Sequence, residues 1–403
     1  MGEKAKLLLS VAMLSVAGMS VANTFVNVFL IRATDGNITM MLLQNIVHFV
    51  TLLVAFVSGS KLLTKISITW IFRFGVIAMS LYYIGILIAQ DDVGSFLIPL
   101  GIINGLGGGF FALSLNLLVS KTVSENEQGR YFSYQQMAGF IFGVVTPVLS
   151  GFIITRFADL TGYYFLFAIS IIFFILSAVM IRGIKGFTVE RKMQIFKVLQ
   201  LRENKYWEAS KYFSFFMGFR LSIEGQITMV FAFLILANEQ IIGNISSVSA
   251  LIAVISSLWF AKTLTAEKEK SFYFVTAILM LIMNITLALF PNRYILMIVW
   301  IGFAAIRNWG DTIYRTMLFK LTDRAKGGFE QSEYLVAVEF PLCFGRVVGL
   351  TTALAITFVI QMGLIAYQIL FVMVGISWII EYSVVQIKIK WLRNETLKEV
   401  VSP

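Results

Sequence analysis

Charge is scarce in this chain. Only 13% of its 403 residues are Asp, Glu, Lys or Arg, against roughly 25% in an ordinary soluble domain. Cysteine and histidine are scarcer still, with one of each, Cys343 and His48. A single cysteine excludes an intrachain disulfide and a cysteine-rich metal site. A single histidine excludes a multi-histidine metal cluster. No cofactor or metal is therefore expected. No nuclease, hydrolase or nucleotide motif is visible, and nothing points to an enzyme. The run Asn104-Gly-Leu-Gly-Gly-Gly109 resembles a phosphate loop only superficially. No strand precedes it and no Lys-Ser/Thr follows.

What is abundant is apolar surface, at 58% of residues. A soluble protein of this size has no interior large enough to hide it. The composition is that of an all-α integral membrane protein with many spans. The net charge of +10 invites a nucleic-acid partner, but Lys and Arg collecting in cytoplasmic loops explain it better. The first apolar run, Leu7 to Ile31, exceeds the roughly 7–15 residues of a signal-peptide core. It reads as a span. Lys6 stands where a myristoylation signal needs Ser or Thr, so no lipid anchor is implied.

Apolar periodicity predicts twelve spans, at about 7–31, 38–60, 68–89, 95–120, 131–155, 162–181, 209–237, 241–261, 271–290, 294–319, 333–360 and 364–387. Residues 182–205 form the longest polar interruption, with seven basic residues opposed only by Glu190 and Glu203. This gives a six-span bundle over 1–181, a cytoplasmic linker over 182–208 and a second six-span bundle over 209–403. With both termini inside, twenty-five Lys and Arg fall in inner segments and only Arg32, Arg156 and Arg293 in outer turns. A wrong span count would scramble that asymmetry.

Three motifs join this architecture. After span two comes Gly59-Ser-Lys-Leu-Leu-Thr-Lys65, after span four Ser124-Glu-Asn-Glu-Gln-Gly-Arg130, and in span five the series Gly139, Gly143, Pro147 and Gly151. With two six-span halves and a long central loop, the chain resembles the major facilitator superfamily over almost its whole length. The first motif lacks the family's aspartate, and Thr146 stands where the family's exporters carry a glycine before the proline. The resemblance implies two pseudo-symmetric bundles, alternating access, and a central cavity lined on its C-terminal side by spans seven, ten and eleven. The span-five motif points to export.

Charges inside spans are expensive, about 2.5–3.5 kcal/mol each on the insertion scale. Span seven carries Arg220 and Glu224, span ten Arg307, Asp311 and Arg315 with Tyr314 beside them, and span eleven Glu339, Pro341 and Arg346. One reading makes Arg220–Glu224 and Arg307–Asp311 self-neutralised i,i+4 pairs that lock helices together. The other, favoured because three spans carry charge, makes Arg220, Arg307, Arg346 and Tyr314 substrate-binding and Glu224, Asp311 and Glu339 proton-coupling. Glu339 ranks first among the acids because no cation lies one turn away, and Pro341 frees the carbonyl of Ala337 beside it.

The first half is polar but nearly uncharged. Asn23, Asn27, Asn104 and Gln135 are candidate substrate contacts, with interhelical hydrogen bonding as the plainer role of each amide. His48, whose residue type titrates near neutral pH, is a further coupling candidate. Gly59, Gly105, Gly139, Gly143, Pro147 and Gly151 are candidate packing and gating positions, the glycines allowing close helix approach and the proline a kink.

The function this supports is secondary active transport of a small or amphiphilic solute of anionic character, coupled to protons. The setting is a bacterial cytoplasmic membrane, with lipids around a monomer and no nucleic acid. Two alternatives stay open: a flippase for a lipid-linked substrate on the same fold, and a non-transporting receptor or scaffold with a dry interior.

Overall fold

A computed structural model of the chain describes residues 2–401, apart from 124, 189–193, 202–203, 266–267, 326–327, 330 and 361–363. Of the basic loops and linker singled out above, Ser124, Glu190, Arg191, Lys192, Arg202, Glu203 and Lys326 lie outside the described residues, as do the side chains of Lys388, Lys390, Arg393 and Lys398. Among the described residues there is helix and no strand.

In chain order the helices are α1 (Glu3–Asn23), α2 (Val26–Ala33), α3 (Ile38–Leu62), α4 (Ile68–Ala89), α5 (Val93–Thr122), α6 (Glu125–Arg156) and α7 (Thr161–Met180). Then come α8 (Ile195–Gln200), α9 (Lys205–Leu236), α10 (Glu239–Thr263), α11 (Glu269–Leu289), α12 (Arg293–Arg324), α13 (Gln331–Ala337), α14 (Glu339–Val359) and α15 (Leu364–Val401). Among the described residues, eleven helical segments are long and apolar enough to cross a membrane. The twelfth span is α12, also long enough, whose polar character comes from Arg307, Asp311, Arg315 and Lys320.

Two compact units divide the chain. One comprises Met1–Lys192 with Thr228–Leu251, the other Met193–Ile227 with Ile252–Pro403. In the first, α5 packs between α3 and α4. Glycine makes this possible. Gly101, Gly105 and Gly109 face the backbone carbonyls of Gln44, His48 and Leu52, each four residues on, so any Cβ there would collide with α3. On the other side of α5, Gly107 abuts Met79, and Gly75 of α4 abuts Phe111. Side-chain-free ridges let helices approach closely where lipid offers no hydrophobic drive for association. In the second unit α11 packs against α12 and α15.

Two spans are broken. Span one, expected as one run, splits into α1 and α2. The Thr24 hydroxyl donates to the Ser20 carbonyl at 2.6 Å, and Phe25 leaves the helical region with φ −123° and ψ 8°. A hydroxyl that occupies the i−4 carbonyl competes with the backbone ladder and bends helices. Span eleven splits at Val338, between α13 and α14. Pro341 has no N–H to give the carbonyl four residues back, that of Ala337.

Candidate functional site

Five charged side chains meet inside the second unit. Arg220 of α9 is wholly buried. Its Nε donates to Glu381 Oε2 of α15 at 3.0 Å. One terminal nitrogen donates to Glu224 at 3.2 Å, the other to Asp311 of α12 at 3.2 Å and to the Met217 sulfur at 2.8 Å. The guanidinium lies over the Trp378 ring, 3.5 Å from its centroid, where the ring's quadrupole attracts a cation. Tyr273 of α11 donates its hydroxyl to the other Glu381 oxygen at 2.6 Å. Three helices, α9, α12 and α15, thus converge on one fork of five N–H donors, and α11 joins through Glu381.

Arg307 is held differently. It reaches Glu224 and Asp311 at 3.5 Å each, and its side chain is 36% exposed where Arg220's is 0%. Asp311 is 25% exposed and is shared by both arginines. The two i,i+4 pairs seen in the sequence are therefore cross-linked: Arg220 serves Asp311 and Arg307 serves Glu224. The cluster holds three carboxylates and two guanidinium groups. With all five ionised it carries a net charge of −1. An uncompensated charge in a water-poor interior is costly, so a proton or a cation at this cluster lowers its energy.

The other charged candidates sit apart from this knot. Tyr314 is buried with its hydroxyl on Ser214 at 3.0 Å and its ring against Phe213. Arg346 is half-buried and extends toward the Cys343 sulfur, 3.9 Å away. Glu339 is half-buried at the first position of α14, just after the break. Among the described residues it makes no hydrogen bond or ion pair. Arg315 is exposed.

In the first unit the amides cluster at the broken helix. Tyr83 donates to Asn23 at 3.0 Å, Gln44 donates to Tyr82 at 3.3 Å, and Asn45 reaches Asn27 at 3.5 Å. His48 is half-buried with its ring edge-on to Phe49. Asn104 and Gln135 are half-buried. Of the glycines, Gly59 meets Leu113 and Phe110, Gly105 meets Thr51 and the His48 carbonyl, and Gly151 meets the Glu239 carbonyl. Gly139 has open space where a Cβ would stand, and Gly143 meets only Ala250, at 3.9 Å. Close approach was expected at both; Gly139 has no neighbour among the described residues, and at Gly143 the Ala250 side chain of α10 stands at ordinary contact distance.

Pro147 supplies the carbonyl on which Gly243 rests. Beside it is a second ion pair, also within the first unit, between an exposed arginine and a buried acid. Glu239, at the start of α10, receives Arg32 at 3.1 Å and the Tyr163 hydroxyl at 2.8 Å.

Sequence reading missed Glu381, Tyr273 and Glu239. Glu381 is the lone acid of span twelve, seven residues before Lys388, and reads as an interfacial residue. Trp378, one turn earlier on the same face, was the available signal. Glu239 opens a helix, where acids are common for capping reasons alone.

Comparison with known proteins agrees with this architecture. The sequence profile of the Major Facilitator Superfamily matches residues 8–350. The uncharacterized protein YqgE of Bacillus subtilis (strain 168) is 26% identical over 398 residues, covering 97% of this chain and 92% of that protein. Among solved structures, a bacterial metal transporter superposes with a TM-score of 0.66 at 16% identity, covering 97% of this chain and 99% of that one. The nucleoside transporter NupG gives 0.71 at 12% identity, covering 96% and 100%. A bacterial homologue of the iron transporter ferroportin, in its outward-facing state, gives 0.65 at 14%, covering 97% and 100%. With the profile spanning most of its length, this multi-pass membrane protein belongs to the Major Facilitator Superfamily.

Proposed function

We propose that the chain is a proton-coupled secondary active transporter that works by alternating access and carries a solute with an anionic group. The single observation behind this reading is the charge imbalance of the α9–α11–α12–α15 cluster, two guanidinium groups against three carboxylates. Arg220 has every side engaged and no exposed surface. It organises the cluster. Arg307 is the arginine an arriving anion reaches, because it is partly exposed and its carboxylate contacts are the longest. Arg346 is the second cationic group proposed to face the solute.

Asp311 is the proton acceptor in this mechanism, as the most exposed of the three carboxylates. A proton on Asp311 neutralises it. Arg307 then loses one of its two ionic partners and turns a charge-assisted donor to the solute anion. The proton adds +1 and the anion −1, so the cluster keeps its net charge. Loaded and empty forms are thus electrostatically matched, as a carrier that must change conformation in both requires. Proton and anion board together, which favours symport. The span-five motif points the other way, to export, and the cluster is the observation we weigh more. The midplane location of such sites suits rocking of the two halves. The charge asymmetry of the loops supports cytoplasmic termini and a cytoplasmic linker in a bacterial plasma membrane.

The test uses purified protein in proteoliposomes with labelled carboxylates, phosphate and sugar phosphates. Asp311→Asn should retain solute exchange and lose accumulation driven by a pH gradient. Normal gradient-driven accumulation in that variant would remove Asp311 from the mechanism. Glu339→Gln is the companion measurement. If it alone uncouples, the coupling acid lies at the break in span eleven. An amphiphilic, lipid-linked probe moved in place of every soluble anion would mark a flippase, and no movement of any probe would favour a receptor or scaffold.

A further inference from the structure

At one end of the first unit, two arginines are forced together without an acid. Arg73 stands in the second turn of α4 and Arg182 in the 3-10 turn Ile181–Gly183 that follows α7. The chain after α7 is pinned across the start of α4 by groups that carry no charge. The Ile68 N–H donates to the Phe187 carbonyl at 2.9 Å. Gly186 fits against the Ser67 and Thr69 hydroxyls, where a Cβ would collide. Ile181 and Ile184 are buried. This anchoring packs the turn that carries Arg182 against α4, the helix that carries Arg73. Among the described residues neither arginine has a carboxylate partner. The Arg73 Nε is shielded from solvent and has no hydrogen-bond partner. Lys185, three residues after Arg182, is exposed.

Like charges held side by side repel, and a shielded guanidinium N–H without an acceptor is unfavourable. Elsewhere in the chain, Arg32 and Arg220 are matched by buried acids on the same scaffold. Here the counter-charge has to come from outside.

The surroundings identify its source. The Arg73 guanidinium lies over the Trp70 ring, 4.7 Å from the centroid. Trp70, Phe74, Ile77 and Leu81 form one exposed apolar stripe down α4, the face a membrane helix turns to hydrocarbon. Tryptophan at the end of such a stripe marks the level of the headgroups. An anion between Arg73 and Arg182 is therefore at headgroup depth, directly above a path for an acyl chain.

We infer that Arg73 and Arg182, with Trp70 beneath, form a binding site for the phosphate of an anionic membrane lipid, its acyl chain lying along the Trp70–Phe74–Ile77–Leu81 stripe. The orientation proposed above puts this in the cytoplasmic leaflet. The site itself does not depend on that orientation, nor on the transport reading.

The test is lipid retention by the purified, delipidated full chain, read by native mass spectrometry. Phosphatidylglycerol, phosphatidylcholine and inorganic phosphate are added separately. The parent should retain one phosphatidylglycerol in preference to phosphatidylcholine, and inorganic phosphate should not displace it. Arg182→Gln is the first variant, because its exposed side chain carries no packing. Retention should fall about fivefold, the effect of one surface cation on an anionic lipid. Arg73→Gln should give a similar loss, and Arg73→Lys should restore most of it. Arg293→Gln, distant in sequence and stacked on Tyr294, should leave retention unchanged. Parental retention in Arg182→Gln, or equal retention of phosphatidylcholine, overturns the proposal. Displacement by inorganic phosphate would make the ligand a soluble ion and overturn it equally. Should Arg73→Gln fail to fold, the Arg182→Gln result decides alone.

Discussion

Replacing Arg220 by alanine should leave a chain that scarcely folds. Glu224, Asp311 and Glu381 each rest on that one guanidinium at 3.0–3.2 Å. Without it, Glu224 and Asp311 share Arg307 alone, and Glu381 keeps only the Tyr273 hydroxyl. Removing one partner of a buried ion pair typically destabilises by about 3–5 kcal/mol, because the remaining charge is stranded. That is comparable with the whole stability of many proteins. The Trp378 ring also loses the cation stacked on it. The measurement is the yield of monodisperse protein in detergent with its thermal aggregation temperature. Arg220→Met with Glu381→Gln removes one charge of each sign and returns the cluster to −1. It should recover much of the loss. An Arg220→Ala protein as stable as the parent would show that the cluster does not hold these helices together.

The second large effect is on transport and leaves folding intact. Arg307→Ala alone is ambiguous, since it strips a partner from Glu224 and Asp311. Arg307→Ala with Asp311→Asn removes one charge of each sign, and the cluster stays at −1. The variant loses both 3.5 Å contacts of Arg307 and the charge on Asp311 that Arg220 meets at 3.2 Å. Glu224 and Glu381 keep Arg220 as their partner, so no charge is stranded and the double variant should lose far less thermal stability than Arg220→Ala. It lacks the Arg307 guanidinium proposed to meet the solute, however. A hydrogen bond to a charged group is worth about 1.5–3 kcal/mol, which sets a loss of at least tenfold in apparent affinity for the anion. Uptake concentration curves in proteoliposomes read this directly. Parental affinity in the double variant would end the binding role assigned to Arg307.

Much of the fold is legible in the sequence because membrane insertion writes it there. Apolar runs of span length and the alternation of Lys-rich and Arg-rich loops with loops poor in them are local signals, and both survive without knowledge of neighbours. A close approach along α5 is legible for the same reason, since Gly101, Gly105 and Gly109 repeat along one helical face, but that the helix approached is α3 is not. The break at Val338 follows from the chemistry of Pro341. The break at Thr24–Phe25 does not, because a single threonine hydroxyl carries little signal beforehand.

The cluster was half legible. Charges within spans seven and ten stand out against apolar surroundings, and their i,i+4 spacing suggests partners. Both of those pairs form, but the spacing does not show the links between them. Asp311 has a shorter contact to Arg220, at 3.2 Å, than to Arg307, at 3.5 Å. Which helices adjoin is a three-dimensional fact, and so is the third carboxylate. Adding Glu381 turns two neutral pairs into a site with one surplus negative charge, and the proposed coupling rests on that surplus.

The most direct test follows the proton itself and needs no knowledge of the solute. Infrared difference spectra of the lipid-reconstituted protein, recorded as the pH is lowered, report carboxyl groups that gain a proton. If Asp311 is the exchanging acid, the parent shows a protonated-carboxyl band that appears as pH falls and is absent from Asp311→Asn. The same band should persist in Glu339→Gln. An identical band in parent and Asp311→Asn, or no titrating carboxyl in the parent, would contradict the account.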